Sequence, residues 1–157
     1  LHFSQTWRDK KKREEQRRDW LDHAITTVSK CNVVFLDPDN GLQTLSCPKI
    51  GQMRSGKFAY FPEIYRLNLD KDVTVIYHHL GRYGTHQDQI RLKVAELRKY
   101  VNPTGAIFAL RYRPYSPRAY FILTAKLAQK RTEEALHSFL WRAHNTHWDS
   151  YYQEDFE

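Results

Sequence analysis

Short apolar runs alternate with amphipathic segments along this chain. Runs rich in β-branched and aromatic residues predict strands over residues 33–36, 73–77, 106–110, 119–123 and 147–156, with the first one buried. Apolar residues at helical spacing predict helices over residues 4–30, from Pro62 onward, from Thr85 to about residue 101, and from Thr132 onward.

The order of these elements predicts the fold class. A strand–helix–strand–helix–strand series that ends in antiparallel strands is typical of an α/β protein with right-handed crossovers and a single three-layer mixed sheet, in a Rossmann-like layout. No linker or repeat interrupts the chain, so we expect residues 1–157 to form one α/β domain. Because the sequence opens on Leu1 instead of Met, we also expect it to be the C-terminal part of a longer protein.

The strongest turn signal directly follows the first strand. Pro38 cannot continue a strand ladder, and Asp39, Asn40 and Gly41 are typical turn residues. Asp37, Asp39 and Asn40 would therefore lie at the carboxyl tip of a strand, where open α/β sheets bind ligands. A plain turn, in which Asp39 or Asn40 bonds its own backbone, is the alternative. Gly41 is predicted where the turn needs a positive φ or a close backbone approach.

Two further strand ends carry polar side chains. His78, His79 and Arg82 follow the second strand, and Arg111 and Arg113 follow the third. Parallel strands end at the same side of a sheet, so these residues should meet the acidic turn. An acid, an imidazole and a guanidinium together suit acid–base chemistry or binding of a charged ligand. Of the two adjacent histidines one should point into the core, and we expect only one of them to be functional.

Two stretches outside the strands carry concentrated basic charge. Residues 8–19 form a charged helical segment that would either bind phosphates or be a solvated face held by i,i+4 ion pairs. The loop that follows the first turn contains Lys57, a plausible partner for a phosphate or carboxylate. Residues 111–118 form a basic and aromatic hairpin, whose arginines would either hold phosphates or pair with Asp37 or Asp39.

Charge and composition narrow the class of partner and the compartment. The chain has 157 residues, a net charge of +7 and 14% aromatic residues, which favours a polyanionic partner such as nucleic acid. Cys31 and Cys47 are too few for a disulfide framework and predict a reducing, cytoplasmic location. No apolar run has membrane-spanning length, so we expect no membrane partner.

A protein metal site is only weakly indicated. His144 and His147 are three residues apart, but no cysteine or suitably spaced carboxylate completes a ligand set. We therefore predict no metal ligands from spacing alone.

Several motifs together resemble a known family. The series Val-Val-Phe-Leu-Asp-Pro-Asp-Asn-Gly-Leu, residues 57–63, Ile-Tyr-His-His-Leu-Gly-Arg and Ala-Leu-Arg-Tyr-Arg followed by Arg-Ala-Tyr-Phe-Ile-Leu resemble a family of uncharacterised bacterial proteins marked by Asp-Pro-Asp-Asn-Gly. The strand and Asp37-Pro38 turn also resemble, more distantly, the catalytic motif of adenine-N6 methyltransferases. That resemblance implies a methyltransferase-type sheet, S-adenosylmethionine as cofactor, and a target amine accepted by side-chain and backbone oxygens of the turn.

Three functions follow as hypotheses. The first is a methyltransferase-like enzyme that acts on nucleic acid. The second is a metal-dependent nuclease in which Asp37, Asp39 and Glu63 hold Mg²⁺ and Lys57 or His79 assists. The third is a non-catalytic module that binds nucleic acid through the basic helix and hairpin, with Tyr112 and Tyr115 stacking on bases.

The candidate residues fall into two groups. Predicted catalytic residues are Asp37, Asp39, Asn40 and His79, of which His79 is preferred to His78 on the family resemblance. Predicted substrate-binding residues are Lys57, Tyr60, Glu63, Arg82, Arg111, Arg113 and Arg118.

Overall fold

A computed structural model describes residues 9–143 and 147–152 of the chain. Its helices are α1 (Lys10–Thr27), α2 (Phe61–Asn68), α3 (His86–Tyr100) and α4 (Gln129–Arg142). Its strands are β1 (Val33–Leu36), β2 (Gly41–Leu42), β3 (Phe58–Ala59), β4 (Val73–His79), β5 (Ile107–Tyr112), β6 (Arg118–Thr124) and β7 (Trp148–Tyr152). Over these described ranges, no helix combines the length and the apolar character needed to cross a bilayer.

The main sheet is mixed, with the order β1-β4-β6-β5-β7. β1 pairs parallel with β4, whereas the other three pairings are antiparallel. β6 lies between β4 and β5 because the chain returns from β5 in a hairpin and pairs with both neighbours. The α/β class, the mixed sheet and the β5–β6 hairpin are thus confirmed. The described sheet is mostly antiparallel, which differs from the parallel core of the predicted Rossmann-like layout.

Most predicted elements are present with shifted boundaries. β4 is two residues longer than predicted and includes both histidines. Thr85 is the N-cap of α3 as predicted, and its hydroxyl accepts a hydrogen bond from Asp88 N at 3.1 Å. The predicted cap of the last helix is wrong, because α4 begins at Gln129 and the Thr132 hydroxyl donates to Ala128 O at 2.8 Å within the helix. Residues 4–8 and 153–156, at the ends of two predicted elements, lie outside the described residues.

The two faces of the sheet are covered unequally. Helices α2 and α3 pack on one face and bury Ile76, Phe121 and Leu123 in the main core. On the other face, Leu136 and Leu140 of α4 cover only the half of the sheet that contains β5 and β7. The half beside β1 is open, so Val33 and Phe35 are 59% and 56% exposed. The prediction of a fully buried first strand is therefore wrong for these two residues.

Helix α1 is held to the domain by buried cations as well as by Leu21 and Ala24. Arg13 and Arg17 are 6% and 4% exposed. Arg13 Nε donates to Gly51 O at 2.7 Å, and Arg17 forms a two-pronged ion pair with Glu63 of α2. The charged segment predicted over residues 8–19 is therefore not a uniformly solvated face, because Arg13 and Arg17 are buried. For the same reason, these two cations are not accessible to a phosphate.

Candidate functional site

The candidate site lies at the carboxyl end of the sheet. Because β1 is parallel to β4, and β6 is antiparallel to both β4 and β5, strands β1, β4 and β5 all end on the same side. This side carries the turn at residues 37–41, the loop at residues 80–84 and the loop at residues 113–117. We call these three segments together the carboxyl end. The sequence analysis predicts that these three segments meet.

The turn after β1 is built by backbone hydrogen bonds and exposes its polar side chains. Gly41 N donates to Pro38 O at 3.0 Å, and Asn40 N donates to Lys57 O at 2.9 Å. Lys57 Nζ lies 3.2 Å from Asp39 Oδ2 in an exposed ion pair. Asp37 and Asn40 are exposed as well. Two carboxylates, an amide and an ammonium group therefore face solvent at this turn.

Gly41 has both properties predicted from the sequence. Its φ is +91°, in the left-handed region that favours glycine. A Cβ at this position would lie 2.3 Å from His78 Nδ1 and 2.7 Å from the Cα of the same histidine. The missing side chain thus lets the turn pass directly over the end of β4.

One of the two adjacent histidines points into the core, as predicted, and the structure shows that it is His78. It is 5% exposed, and its Nδ1 accepts a hydrogen bond from Leu42 N at 3.1 Å. Burial lowers the pKa of His78 to about 3, and the nearby charges of Lys93 and His79 contribute to this lowering. His78 is therefore neutral at physiological pH, and its unprotonated Nδ1 fixes β2 against β4.

His79 lies on the opposite, open face of β4 together with Tyr77. The Tyr77 hydroxyl is 3.0 Å from His79 Nε2. Burial raises the pKa of Tyr77, Arg118 opposes this rise, and the negative charge of Asp37 adds to it. The guanidinium of Arg118, which pairs with His79 in the β4–β6 register, lies 5.9 Å from the centre of the Tyr77 ring. We call Tyr77, His79, Arg118 and Asp37 together the Tyr77 cluster.

Aromatic rings continue the Tyr77 cluster across the sheet. The Tyr77 and Tyr120 ring centroids are 5.6 Å apart, those of Tyr120 and Trp148 are 5.7 Å apart, and those of Trp148 and Tyr112 are 4.9 Å apart. All four rings are partly exposed. Their mutual contacts hold them in place and leave part of each ring accessible.

The arginines predicted at the carboxyl end have different surroundings. Arg111 Nε donates to Asp149 of β7 at 2.7 Å, and Arg113 Nε lies 3.6 Å from the same carboxylate. This pairing joins the hairpin to β7 and not to Asp37 or Asp39, the alternative partners predicted for it. Arg82 and Arg113 are exposed on neighbouring loops.

Two predicted binding residues belong to the interior between α1 and α2. Both carboxylate oxygens of Glu63 accept hydrogen bonds from Arg17, at 2.6 and 2.7 Å. The Tyr60 hydroxyl donates to Pro48 O, and burial raises the pKa of Tyr60. These contacts hold the loop after β2 in place, and we do not include the two residues in the candidate site.

Three aromatic residues of the site, Tyr77, Tyr120 and Trp148, were not predicted from the sequence. The alternation of side chains along a strand could have identified the first two, because Tyr77 lies two residues before His79 and Tyr120 two residues after Arg118. Trp148 could not be identified in this way, because its position depends on the register of β7 against β5.

No three side chains of histidine, cysteine, aspartate or glutamate are grouped as metal ligands in the part of the chain that the structure describes. His144, one of the two histidines with metal-like spacing, lies outside that part. Comparison with known protein families, with curated proteins and with solved structures finds no match to this chain. The two resemblances drawn from the motifs therefore stay predictions, and we infer function from the carboxyl end itself.

Proposed function

We propose that the carboxyl end binds a nucleic-acid strand, with the Tyr77 cluster at the centre of the site. The observation that carries this proposal is the environment of Arg118. Its guanidinium lies over Tyr77, it forms no ion pair with any described residue, and its Nε is buried without a hydrogen-bond acceptor among them. An arginine without an ion pair among the described residues can bind an anion such as a phosphate.

The aromatic rings beside Arg118 support a nucleic acid over other anions. Tyr77 lies beside that guanidinium, and the partly exposed rings of Tyr120 and Trp148 continue the row toward β7, where Phe139 of α4 packs on Trp148. Rings next to cations are the surface on which single strands stack their bases while their phosphates are neutralised. The net charge of +7 adds a long-range attraction for a polyanion.

The proposal is tested by fluorescence anisotropy with a labelled oligonucleotide at salt concentrations between about 50 and 300 mM. We expect affinity to fall steeply with salt and Arg118→Gln to weaken binding about tenfold. Arg131→Gln is the matched control, because it removes the same charge from an exposed site on α4, near the opposite end of the sheet. It should change affinity less than twofold. A flat salt dependence, or equal losses in the two variants, would reject the proposal.

A second candidate function is transfer of a methyl group from S-adenosylmethionine to a base amine. It is favoured by Asp37, whose exposed carboxylate ends β1 directly before Pro38, beside a parallel neighbour. The turn departs from the methyltransferase motif, because Asp39 and Asn40 replace a proline and the stacking aromatic residue. The residues of the turn therefore do not reproduce that amine site, and we place this function second.

Calorimetric titration with S-adenosylmethionine and a comparison of bases distinguish the two functions. Methyl transfer requires measurable cofactor binding and predicts that Asp37→Ala, which removes the side-chain acceptor for the amine, weakens binding to adenine-rich strands much more than to thymine-rich strands. Under simple strand binding, removal of this negative charge leaves base preference unchanged and raises affinity slightly for every strand. The nuclease hypothesis has no comparable support, because Glu63 is buried in its ion pair with Arg17 and is not grouped with Asp37 and Asp39.

A further inference from the structure

Two neighbouring loops of the carboxyl end each present an arginine and a fully solvated tyrosine. Arg82 and Tyr83 lie on the loop after β4, and Arg113 and Tyr115 lie on the loop between β5 and β6. Tyr83 is 92% exposed and Tyr115 is 102% exposed. A tyrosine normally keeps part of its ring in contact with protein, so two such rings on adjacent loops suggest surfaces that meet a ligand.

The loop that carries Tyr83 has a fixed backbone in spite of its exposure. The side-chain amide of Gln89 on α3 accepts a hydrogen bond from Gly81 N at 2.7 Å. It also donates to Gly81 O and Tyr83 O at 3.1 and 2.9 Å. These three hydrogen bonds with one side-chain amide hold the backbone of the loop at Gly81 and Tyr83. Binding on a loop that is already ordered loses less conformational entropy.

The second loop is tied to the first one. Leu80 N donates to Pro117 O at 3.1 Å, and His79 lies opposite Arg118 in the sheet register. Tyr115 has a φ of +58°, which is uncommon for a bulky residue. Residues in this conformation concentrate at ligand sites. These backbone contacts hold the two loops next to each other at the end of β4 and the start of β6, where His79 and Arg118 lie.

From this arrangement we infer that the site selects single-stranded over duplex nucleic acid, with unpaired bases stacking on Tyr83 and Tyr115. The inference rests on the proposed function and specifies its substrate class. The flat faces of bases are available in a single strand, whereas in a duplex they are covered by neighbouring base pairs. Arg82 lies one residue from Tyr83, where it can neutralise a flanking phosphate, whereas Arg113, two residues before Tyr115, already pairs with Asp149.

The test compares a labelled single strand with a duplex of the same sequence, for the native chain and for the Tyr83→Ala, Tyr115→Ala double variant. We expect the native chain to prefer the single strand at least tenfold. The double variant should lose at least tenfold on the single strand and less than twofold on the duplex. Tyr65→Ala removes an exposed tyrosine from α2 and is the matched control, with affinity unchanged. Phenylalanine at both loop positions should retain the preference, because stacking needs the ring and not the hydroxyl.

The outcomes separate this inference from the function on which it rests. Salt-dependent binding without a single-strand preference, or equal losses of the double variant on both substrates, would overturn the inference and leave the proposed function standing. Absence of salt-sensitive binding to either substrate would overturn both.

Discussion

At the scale of single residues, the contact between Gly41 and His78 is the most constrained feature of the site. Its two sides can be tested separately. The glycine has a positive φ and leaves no room for a side chain, whereas the histidine supplies an unprotonated nitrogen to a buried backbone amide. Each property makes a different prediction for stability.

Gly41→Ala should lower the free energy of unfolding by about 2–4 kcal/mol, because left-handed strain adds to overlap with the His78 ring and backbone. Gly84→Ala is the matched control. That glycine also has a positive φ, of +72°, but no atom lies within 4 Å of the place that a Cβ would occupy. It should cost only about 1 kcal/mol, from strain alone. Urea unfolding of both variants measures the difference, and equal costs would contradict a steric role for Gly41.

The second prediction concerns acid stability. The pKa of His78 is lowered from 6.5 to about 3 in the folded protein, so between these values the unfolded chain binds a proton that the folded chain does not. The contribution of His78 to stability is therefore fully present above about pH 6.5 and is lost as pH falls toward 3.

His78→Asn keeps an acceptor near the position of Nδ1 and cannot titrate in this range. The slope of unfolding free energy against pH should become shallower in this variant than in the native chain. His23→Asn, at an exposed position of α1, serves as the control and should keep the native slope. The prediction fails when the two variants show the same pH dependence.

The sequence was informative at some of these residues and not at others. The role of Gly41 follows from turn chemistry. Strand alternation indicates that one of the two adjacent histidines points inward, but only the structure identifies it as His78. The Tyr77 cluster could not be predicted as a unit, because it requires the β4–β6 register that places His79 opposite Arg118. The interior positions of Tyr60 and Glu63 were missed since their partners lie on the loop after β2 and on α1.

At the scale of secondary-structure elements, the docking of α1 depends on a buried ion pair. Arg17 and Glu63 have side-chain exposures of 5% and 10%, and Arg17 also donates to Ser55 O and Phe58 O. A helical apolar stripe predicts docking through hydrophobic contacts, and only Leu21 and Ala24 of that stripe are buried. Sequence patterns do not reveal buried arginines, because the same residues usually remain in solvent.

Arg17→Met should destabilise the protein by about 3–5 kcal/mol, because it leaves the Glu63 carboxylate buried without its partner. Replacing both residues with Met should recover much of this loss, since no uncompensated charge then remains. Arg66→Met breaks the exposed pair with Asp22 and should cost less than about 1 kcal/mol. Thermal or urea unfolding of the three variants provides the measurement, and similar losses for the two single variants would show that burial of the pair is unimportant.

At the scale of the whole molecule, strand directions explain which part of the fold could be predicted from the sequence and which part could not. The connections from β1 to β4 and from β4 to β5 both return the chain to the same end of the sheet, so these three strands run in the same direction. Their shared direction brings their polar ends together. The insertion of β6 between β4 and β5 depends on long-range pairing that no local pattern records. The single-domain organisation of the chain stays a prediction, as do its cofactor and its cytoplasmic location.

The uneven cover of the sheet has a consequence for handling the protein in solution. β1 is the outermost strand on its side of the described sheet, and its apolar Val33 and Phe35 face solvent. Exposed apolar strands of this kind are templates for edge-to-edge association. A strand of a second molecule could form only a few hydrogen bonds with β1, because β1 is short and Pro38 follows it closely. Association should therefore be weak, reversible and concentration-dependent. Crystals or concentrated samples can therefore show pairing through β1 that dilute samples lack.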